Sequence, residues 1–309
     1  ESYRAIEDAG YAPTVLAGTR TGVFVGYEYS EFEQLMRRKP DGASGKPPFS
    51  SSSPSYYLAN RVSHVLDVCG PSEAFNVNCA SSAVAVNRAF QSLRQGESDA
   101  AIVAAASLHL SPGDYIAASQ YGILSPDGSN GVFDEDANGF VRGEGVAALL
   151  LKRLGDAERD GDRIYAVIRA CHENHRGAAR HISEVRHEAI TAVLRDCYER
   201  AGIDPATVRY VEVDGYASKW ADSFEYEGVK AAFRDRRGGG KSLALGSVKG
   251  NIGNLEPVSG LASLIKVALG LHRRRMPPTT TVRRLSSFLD VADDRHPLYI
   301  ADRELTEAD

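Results

Sequence analysis

Apolar residues along this chain follow two rhythms. Short runs rich in Val, Ile and Ala alternate with longer segments whose apolar positions recur every three or four residues. The short runs predict strands at 21–26, 73–78, 100–106, 146–151, 164–172, 208–213 and 242–246. The helix-period segments predict helices at 55–66, 81–95, 184–201, 223–233 and 257–271, with a further helix-like run at 1–9 and an extended one at 298–301. Such alternation argues for an α/β architecture with covered, largely parallel sheets. A faint echo links strand 73–78 and its small-residue helix to strand 242–246 and the helix at 257–271, which suggests a duplicated fold. Residues 39–53 and 234–241 are Gly-rich and polar and read as surface loops, so one domain over 1–309 is expected.

The join between strand 73–78 and helix 81–95 carries the chemistry. Phe75-Asn76-Val77-Asn78 runs into Cys79, small residues follow at 80–83, and an amphipathic helix starts at once. A thiol at the start of a buried helix meets the partial positive charge of free N–H groups, which favours thiolate. A buried structural cysteine is the plainer reading, but the strand–Cys–helix context favours a nucleophile. The small residues allow tight backbone packing and leave room for a substrate beside the thiol.

Composition narrows the classes. A formal net charge of -5 over 309 residues, well mixed, gives no basic footprint for nucleic acid and no polybasic membrane patch. No apolar run reaches the ~20 residues that span a bilayer. Cys69, Cys79, Cys171 and Cys197 lie far apart without CxxC spacing, which argues against disulfides and zinc and fits a reducing cytoplasm. His172, His175 and His181 cluster in one loop without the spacing of a known metal motif and read as pocket wall rather than metal ligands. No cofactor is expected.

Several longer signatures coincide with the cysteine. Cys79-Ala80-Ser81-Ser82 resembles the nucleophile motif of ketosynthases, the condensing enzymes of polyketide and fatty-acid assembly. Leu124-Ser125-Pro126-Asp127-Gly128 and the run Phe133 to Gly145 are similar to two loops of modular polyketide ketosynthases, and Gly246-Ser247-Val248-Lys249-Gly250-Asn251-Ile252-Gly253 to their lysine-bearing turn. The resemblance is colinear over essentially the whole chain. It implies a thiolase fold of two βαβαβ halves in five layers, normally a homodimer, served by an acyl carrier protein with a phosphopantetheine-linked acyl group. By the same comparison the family's first strand and its C-terminal Gly-rich strand-turn fall outside the chain, which suggests a piece of a larger protein.

The chain departs from the family at both active-site histidines. Where elongating ketosynthases read Glu-Ala-His-Gly-Thr-Gly-Thr, this chain reads Glu212-Val213-Asp214-Gly215-Tyr216-Ala217-Ser218, and Asn254 stands where the second histidine follows the lysine turn. Those histidines donate hydrogen bonds as a malonyl unit loses carbon dioxide, and losing one such donor costs about 2.7–4 kcal/mol. Asn254 can still donate; an ionised Asp214 cannot, and its charge opposes the malonyl carboxylate and the enolate. Decarboxylative condensation is therefore the reaction least suited to this set.

Acyl capture on Cys79 remains. Asp214, expected to lie enclosed and so to have a raised pKa, is a candidate base for intramolecular aldol- or lactone-type closure and release. This pattern resembles stand-alone ketosynthase-like cyclases of the salinosporamide-pathway kind. Lys249 either stabilises charge or forms a structural ion pair with Glu256, and Asn251 forms the turn. Tyr216, Ser218, Trp220, His172 and His175 are the candidate substrate-binding residues. The open alternatives are a non-elongating transacylase domain of a modular synthase, a decarboxylating synthase and a non-catalytic dimer partner, the last disfavoured by the retained cysteine.

Overall fold

The computed structural model describes residues 1–29, 55–178, 184–234, 242–291 and 298–306. Nine strands are found among them: β1 (Thr21–Gly26), β2 (Ser72–Phe75), β3 (Ala100–Ser107), β4 (Gly145–Lys152), β5 (Tyr210–Glu212), β6 (Leu243–Gly246), β7 (Arg275–Met276), β8 (Leu298–Ile300) and β9 (Leu305–Thr306). The chain divides into two compact units. The first holds Glu1–Tyr121, Glu144–Ile164 and Leu255–Leu261; the second holds Gly122–Gly143, Tyr165–Asn254 and Ala262–Asp309.

The first unit is built on a four-stranded sheet in the order β2-β1-β3-β4. β1 runs parallel to β2 (Val23↔Ser72) and to β3 (Thr21↔Ala100), and β4 closes the edge antiparallel to β3 (Ala100↔Lys152). Every residue of β1 is buried, which is why its sequence is a continuous apolar run rather than an alternating one. Val23, Val25, Ile102 and Ala104 project to one face, where they meet Ile6, Ala59 and Leu66 from the helices Ser2–Asp8 and Tyr56–Leu66. Helix Ser81–Gln95 buries Ser82, Ala85, Val86, Ala89 and Leu93, a single stripe at helical spacing. Its Arg88 guanidinium lies 5.6 Å from the centre of the Phe24 ring.

The second unit carries the parallel sheet β5-β6-β8, with Tyr210↔Ala244 and Leu243↔Leu298 in register. Its core gathers Val213, Tyr226, Val229, Phe233, Leu243, Leu245, Leu298 and Ile300. Helices His187–Ala201 and Lys219–Ala232 pack so closely that a Cβ on Gly228 would lie 2.7 Å from Ile190. β7 and β9 form a small antiparallel pair. Helix Ser259–Arg273 takes the place predicted for 257–271, after a short 3-10 turn at Glu256–Val258.

Three sequence expectations need correction. The stretch 164–172 has strand composition, yet it joins no ladder among the described residues; apolar alternation supplies a face but not a hydrogen-bonding neighbour. The helix expected from 223 starts at Lys219, because extended Ser218 lets Lys219, Trp220 and Ala221 form the first turn. Helix Gly113–Gln120 was not foreseen: it buries no residue and so lacks the apolar stripe that marks a helix. The 39–53 loop and His181 lie outside the described residues.

Candidate active site

Cys79 belongs to the first unit and follows Asn78, whose φ of +57° lies in the left-handed region that asparagine tolerates better than most residues. The chain then turns through Ala80 into the helix at Ser81. The Ser81 hydroxyl accepts from the Val77 N–H at 2.9 Å and lies 2.6 Å from the Asn78 carbonyl and 2.9 Å from that of Tyr27. The Cys79 thiol donates to Asn78 Oδ1 across 3.5 Å. Close backbone approach fixes the helix start: a Cβ on Gly26 would sit 2.6 Å from the Ser82 nitrogen. That contact explains the small residues after the cysteine. Cys79 thus stands just ahead of the helix rather than inside its first turn, partly exposed.

In the second unit, β5 ends at Glu212 and the chain turns at Asp214-Gly215. Gly215 has φ +59°, and a Cβ there would lie 2.5 Å from Val132. Asp214 Oδ1 accepts from Lys249 Nζ at 2.6 Å; the lysine side chain is 2% exposed and the aspartate side chain 57%. Asp214 is therefore not the enclosed carboxylate that the sequence suggested, because its turn lies at the surface end of β5 and only its partner is buried. Lys249 pairs with Asp214, whereas the ion-pair partner expected from the sequence was Glu256.

The lysine turn is latched from several sides. Asn130, buried, donates through Nδ2 to the Lys249 carbonyl at 2.9 Å and accepts the Val141 N–H at 3.0 Å. Asn254 is fully buried; its N–H donates to the Val141 carbonyl at 2.8 Å and its carbonyl accepts from the Gly143 N–H at 2.9 Å. The acidic loop around 133–143 and the turn at 249–254 are thus one hydrogen-bonded assembly. Glu212 Oε1 accepts the Val248 N–H at 2.6 Å, while its other oxygen pairs with Lys266 Nζ at 2.7 Å; both side chains are 6% exposed. Asn251 lies in the short helix Lys249–Ile252 and donates to the Thr280 hydroxyl at 3.2 Å.

Two further carboxylates stand close by. Glu225 Oε1 accepts the Asp214 N–H at 2.7 Å and Oε2 the Gly215 N–H at 2.9 Å. Withdrawal from water, and then the charge of Asp214, push its carboxyl up to about 8. Asp222, 1% exposed, is raised to about 6, first by burial, while its Oδ2 accepts the Phe133 N–H at 2.9 Å. Sequence reading singled out neither, nor Asn130. A cue existed: 222, 225, 226 and 229 share one helical stripe, so two carboxylates stand in an apolar face.

The remaining candidates separate. Tyr216 packs edge-on against Phe140 with ring centres 5.1 Å apart, and Ser218 bridges Asn138 at the start of its helix. Trp220 is 66% exposed and leans on Phe288 at 4.8 Å. His172 lies 3.3 Å from Asp196, and His175 Nδ1 accepts the Gly177 N–H at 3.0 Å; these contacts tie them to their own loop and to helix His187–Ala201. Among the described residues no group of His, Cys, Asp and Glu could hold a metal, and no helix is long and apolar enough to cross a membrane.

Residues 1–157 match the family model of the β-ketoacyl synthase N-terminal domain, and residues 165–283 that of the C-terminal domain. The highly reducing polyketide synthase azaB of Aspergillus niger is 40% identical over 291 residues, which cover 94% of this chain and 11% of that protein. The lovastatin diketide synthase lovF of Aspergillus terreus is 42% identical over 276 residues, covering 89% and 11%. Among solved structures, the ketosynthase from module 6 of the bacillaene synthase of Bacillus subtilis 168 superposes with a TM-score of 0.90 at 33% identity, over 99% of this chain and 52% of that one. The chain thus spans 11% of the length of those curated relatives and about half of the solved domain.

Proposed function

The chain belongs to the β-ketoacyl synthase family, with its thiolase fold and the polyketide type of ketosynthase, and from that premise we propose that it captures acyl groups without elongating them. Cys79 takes an acyl chain from the phosphopantetheine thioester of an acyl carrier protein, forming a new thioester and freeing the carrier thiol. The domain works as a homodimer. Ring closure within the bound chain then releases it.

The observation that supports this reading is the Asp214–Lys249 pair. At the position where the family resemblance implies a histidine donor stands a carboxylate that already accepts from the lysine. Lys249 offsets the aspartate charge, so repulsion of a malonyl carboxylate is weaker than Asp214 alone would give. The lost donor is not replaced by Asp214, because an ionised carboxylate only accepts. Decarboxylation would still lack an oxyanion donor there.

Asp214 suits proton removal better. The reading takes Cys79 and Asp214 to serve one bound chain, as the family motifs imply. In lactone-type closure a hydroxyl of the acyl chain gives its proton to the Asp214 carboxylate, and the oxygen attacks the thioester carbonyl. The new C–O bond forms as the C–S bond breaks, and the proton passes to the leaving sulfur, restoring the Cys79 thiol.

A second reading, transfer of the unchanged acyl group to another carrier, is favoured by the same ion pair, since a carboxylate held by Lys249 can be purely structural. 5-Hydroxyhexanoyl N-acetylcysteamine thioester separates the two. Intact-protein mass spectrometry should show acylation of Cys79 in wild type and in Asp214→Ala, with lactone release only in wild type. Undiminished lactone release from Asp214→Ala would rule out the base role. Carbon dioxide from a malonyl-loaded carrier would restore ordinary elongation.

A further inference from the structure

We propose that Glu225 is the positioning residue that aims the Asp214 carboxylate at Lys249 and so sets the rate of acyl release; this rests on Asp214 acting as the base. The geometry begins with the backbone. Glu225 takes the consecutive N–H groups of Asp214 and Gly215 with its two oxygens, at 2.7 and 2.9 Å. The Ser247 hydroxyl donates to the Asp214 carbonyl at 3.1 Å. These contacts hold both peptide planes flanking the Asp214 Cα, and therefore the direction of its Cα–Cβ bond. Only the side-chain torsions remain, and the 2.6 Å contact to Lys249 settles those.

Glu225 reaches this turn from helix Lys219–Ala232, whose buried stripe includes Tyr226 and Val229. A rigid element, rather than the turn itself, thus carries the clamp. Glutamine at 225 would keep one acceptor but point an N–H₂ at a backbone N–H, so one of the two bonds is lost and replaced by donor–donor opposition. Glu212 grips the far side of the site through the Val248 N–H, but its buried pairing with Lys266 makes its variants report on stability first. Glu225 is the member of the network whose replacement isolates aim from fold.

The test uses the full chain and 5-hydroxyhexanoyl N-acetylcysteamine thioester. Acylation of Cys79 is followed as the mass adduct; release is followed as loss of the adduct with appearance of the lactone. Glu225→Gln should acylate at the wild-type rate and release about 10- to 100-fold more slowly, the scale of a misplacement near 1 Å. Glu225→Asp keeps both acceptors on a shorter arm and should recover part of that loss. Release at the wild-type rate in Glu225→Gln overturns the proposal, as does an equal slowing of acylation and release, which marks a merely structural role. If Glu225→Gln loses its cooperative melt, Glu225→Asp decides: wild-type release sinks the idea, and slowed release with normal acylation upholds it. Asp214→Ala separates the two levels. Unchanged release there removes the base itself, whereas blocked release there with normal release in Glu225→Gln removes only the clamp.

Discussion

The turn that carries Cys79 and the turn that carries Asp214 both follow a parallel strand, but they are held by different forces. Around Cys79 the contacts are neutral: a serine hydroxyl on three backbone groups, an asparagine in a left-handed conformation, and Gly26 pressed against the helix start. Around Asp214 the contacts come from titratable groups: the Glu225 carboxyl on the backbone, and the ion pairs Lys249–Asp214 on the side chain and Glu212–Lys266 beneath the next turn. A site held by shape tolerates pH and salt, whereas one held by buried carboxylates depends on their ionisation. The geometry around the Cys79 thiol should therefore persist under conditions that disturb the Asp214 turn.

The strongest way to break this comparison is to remove charge from the second turn. Lys266→Met leaves the Glu212 carboxylate buried without its ammonium partner, a loss of about 3–5 kcal/mol in unfolding free energy by urea titration. Glu212→Gln added to Lys266→Met should recover most of it, since a neutral pair no longer strands a charge. A loss below about 1 kcal/mol for the single variant would mean that water relieves the pair and that the contrast is overstated.

Asp222 gives the pH arm. Its folded carboxyl is raised to about 6 from the usual 3.8, so the folded state binds the proton more tightly than the unfolded chain. Its contribution is fully present below about pH 4 and disappears as pH rises through about 6, a swing on the order of 3 kcal/mol. Asp222→Asn keeps an acceptor for the Phe133 N–H and carries no charge. It should equal wild type near pH 4 and exceed it at pH 8. Glu225 adds a slope of the same sign, because its carboxyl is also raised.

Much of the first turn was legible in the chain. The strand Thr21–Gly26 and the helix Ser81–Gln95 fall where their apolar rhythm put them, and the small residues beside Cys79 match the close approach to Gly26. The family signature was legible too, because its motifs are contiguous. The surroundings of Asp214 were not, since the clamp comes from Glu225 and the ion pair from Lys249, residues that only folding brings to the turn. Whether Asp214 would be enclosed is a property of the fold; no local pattern sets it.

The first turn has its own test, smaller in size. Gly26→Ala places a methyl 2.6 Å from backbone, which cannot rotate away as a side chain could, and overpacking of this kind costs about 1–3 kcal/mol. The loss should be the same at pH 5 and pH 8. A pH-dependent loss would show that charge reaches this turn after all, and the contrast between the two sites would fail.

Asn78→Gly should have the smallest effect of the set. The left-handed backbone at 78 is open to glycine, so stability should change by no more than about 1 kcal/mol, the greater freedom of the unfolded glycine offsetting relief at φ +57°. What it removes is the Oδ1 acceptor 3.5 Å from the Cys79 sulfur. That weak bond favours the protonated thiol, because it needs the S–H as donor. Without it, alkylation of Cys79 by iodoacetamide at pH 7 should speed up by about twofold, as expected for a bond near the weak end of the hydrogen-bond range. Cys79→Ala in parallel removes the background of the other cysteines from the measured adduct. A rate change beyond about tenfold would mean that Asn78 governs thiol reactivity directly, and that the first turn, like the second, is tuned by a polar partner rather than by shape.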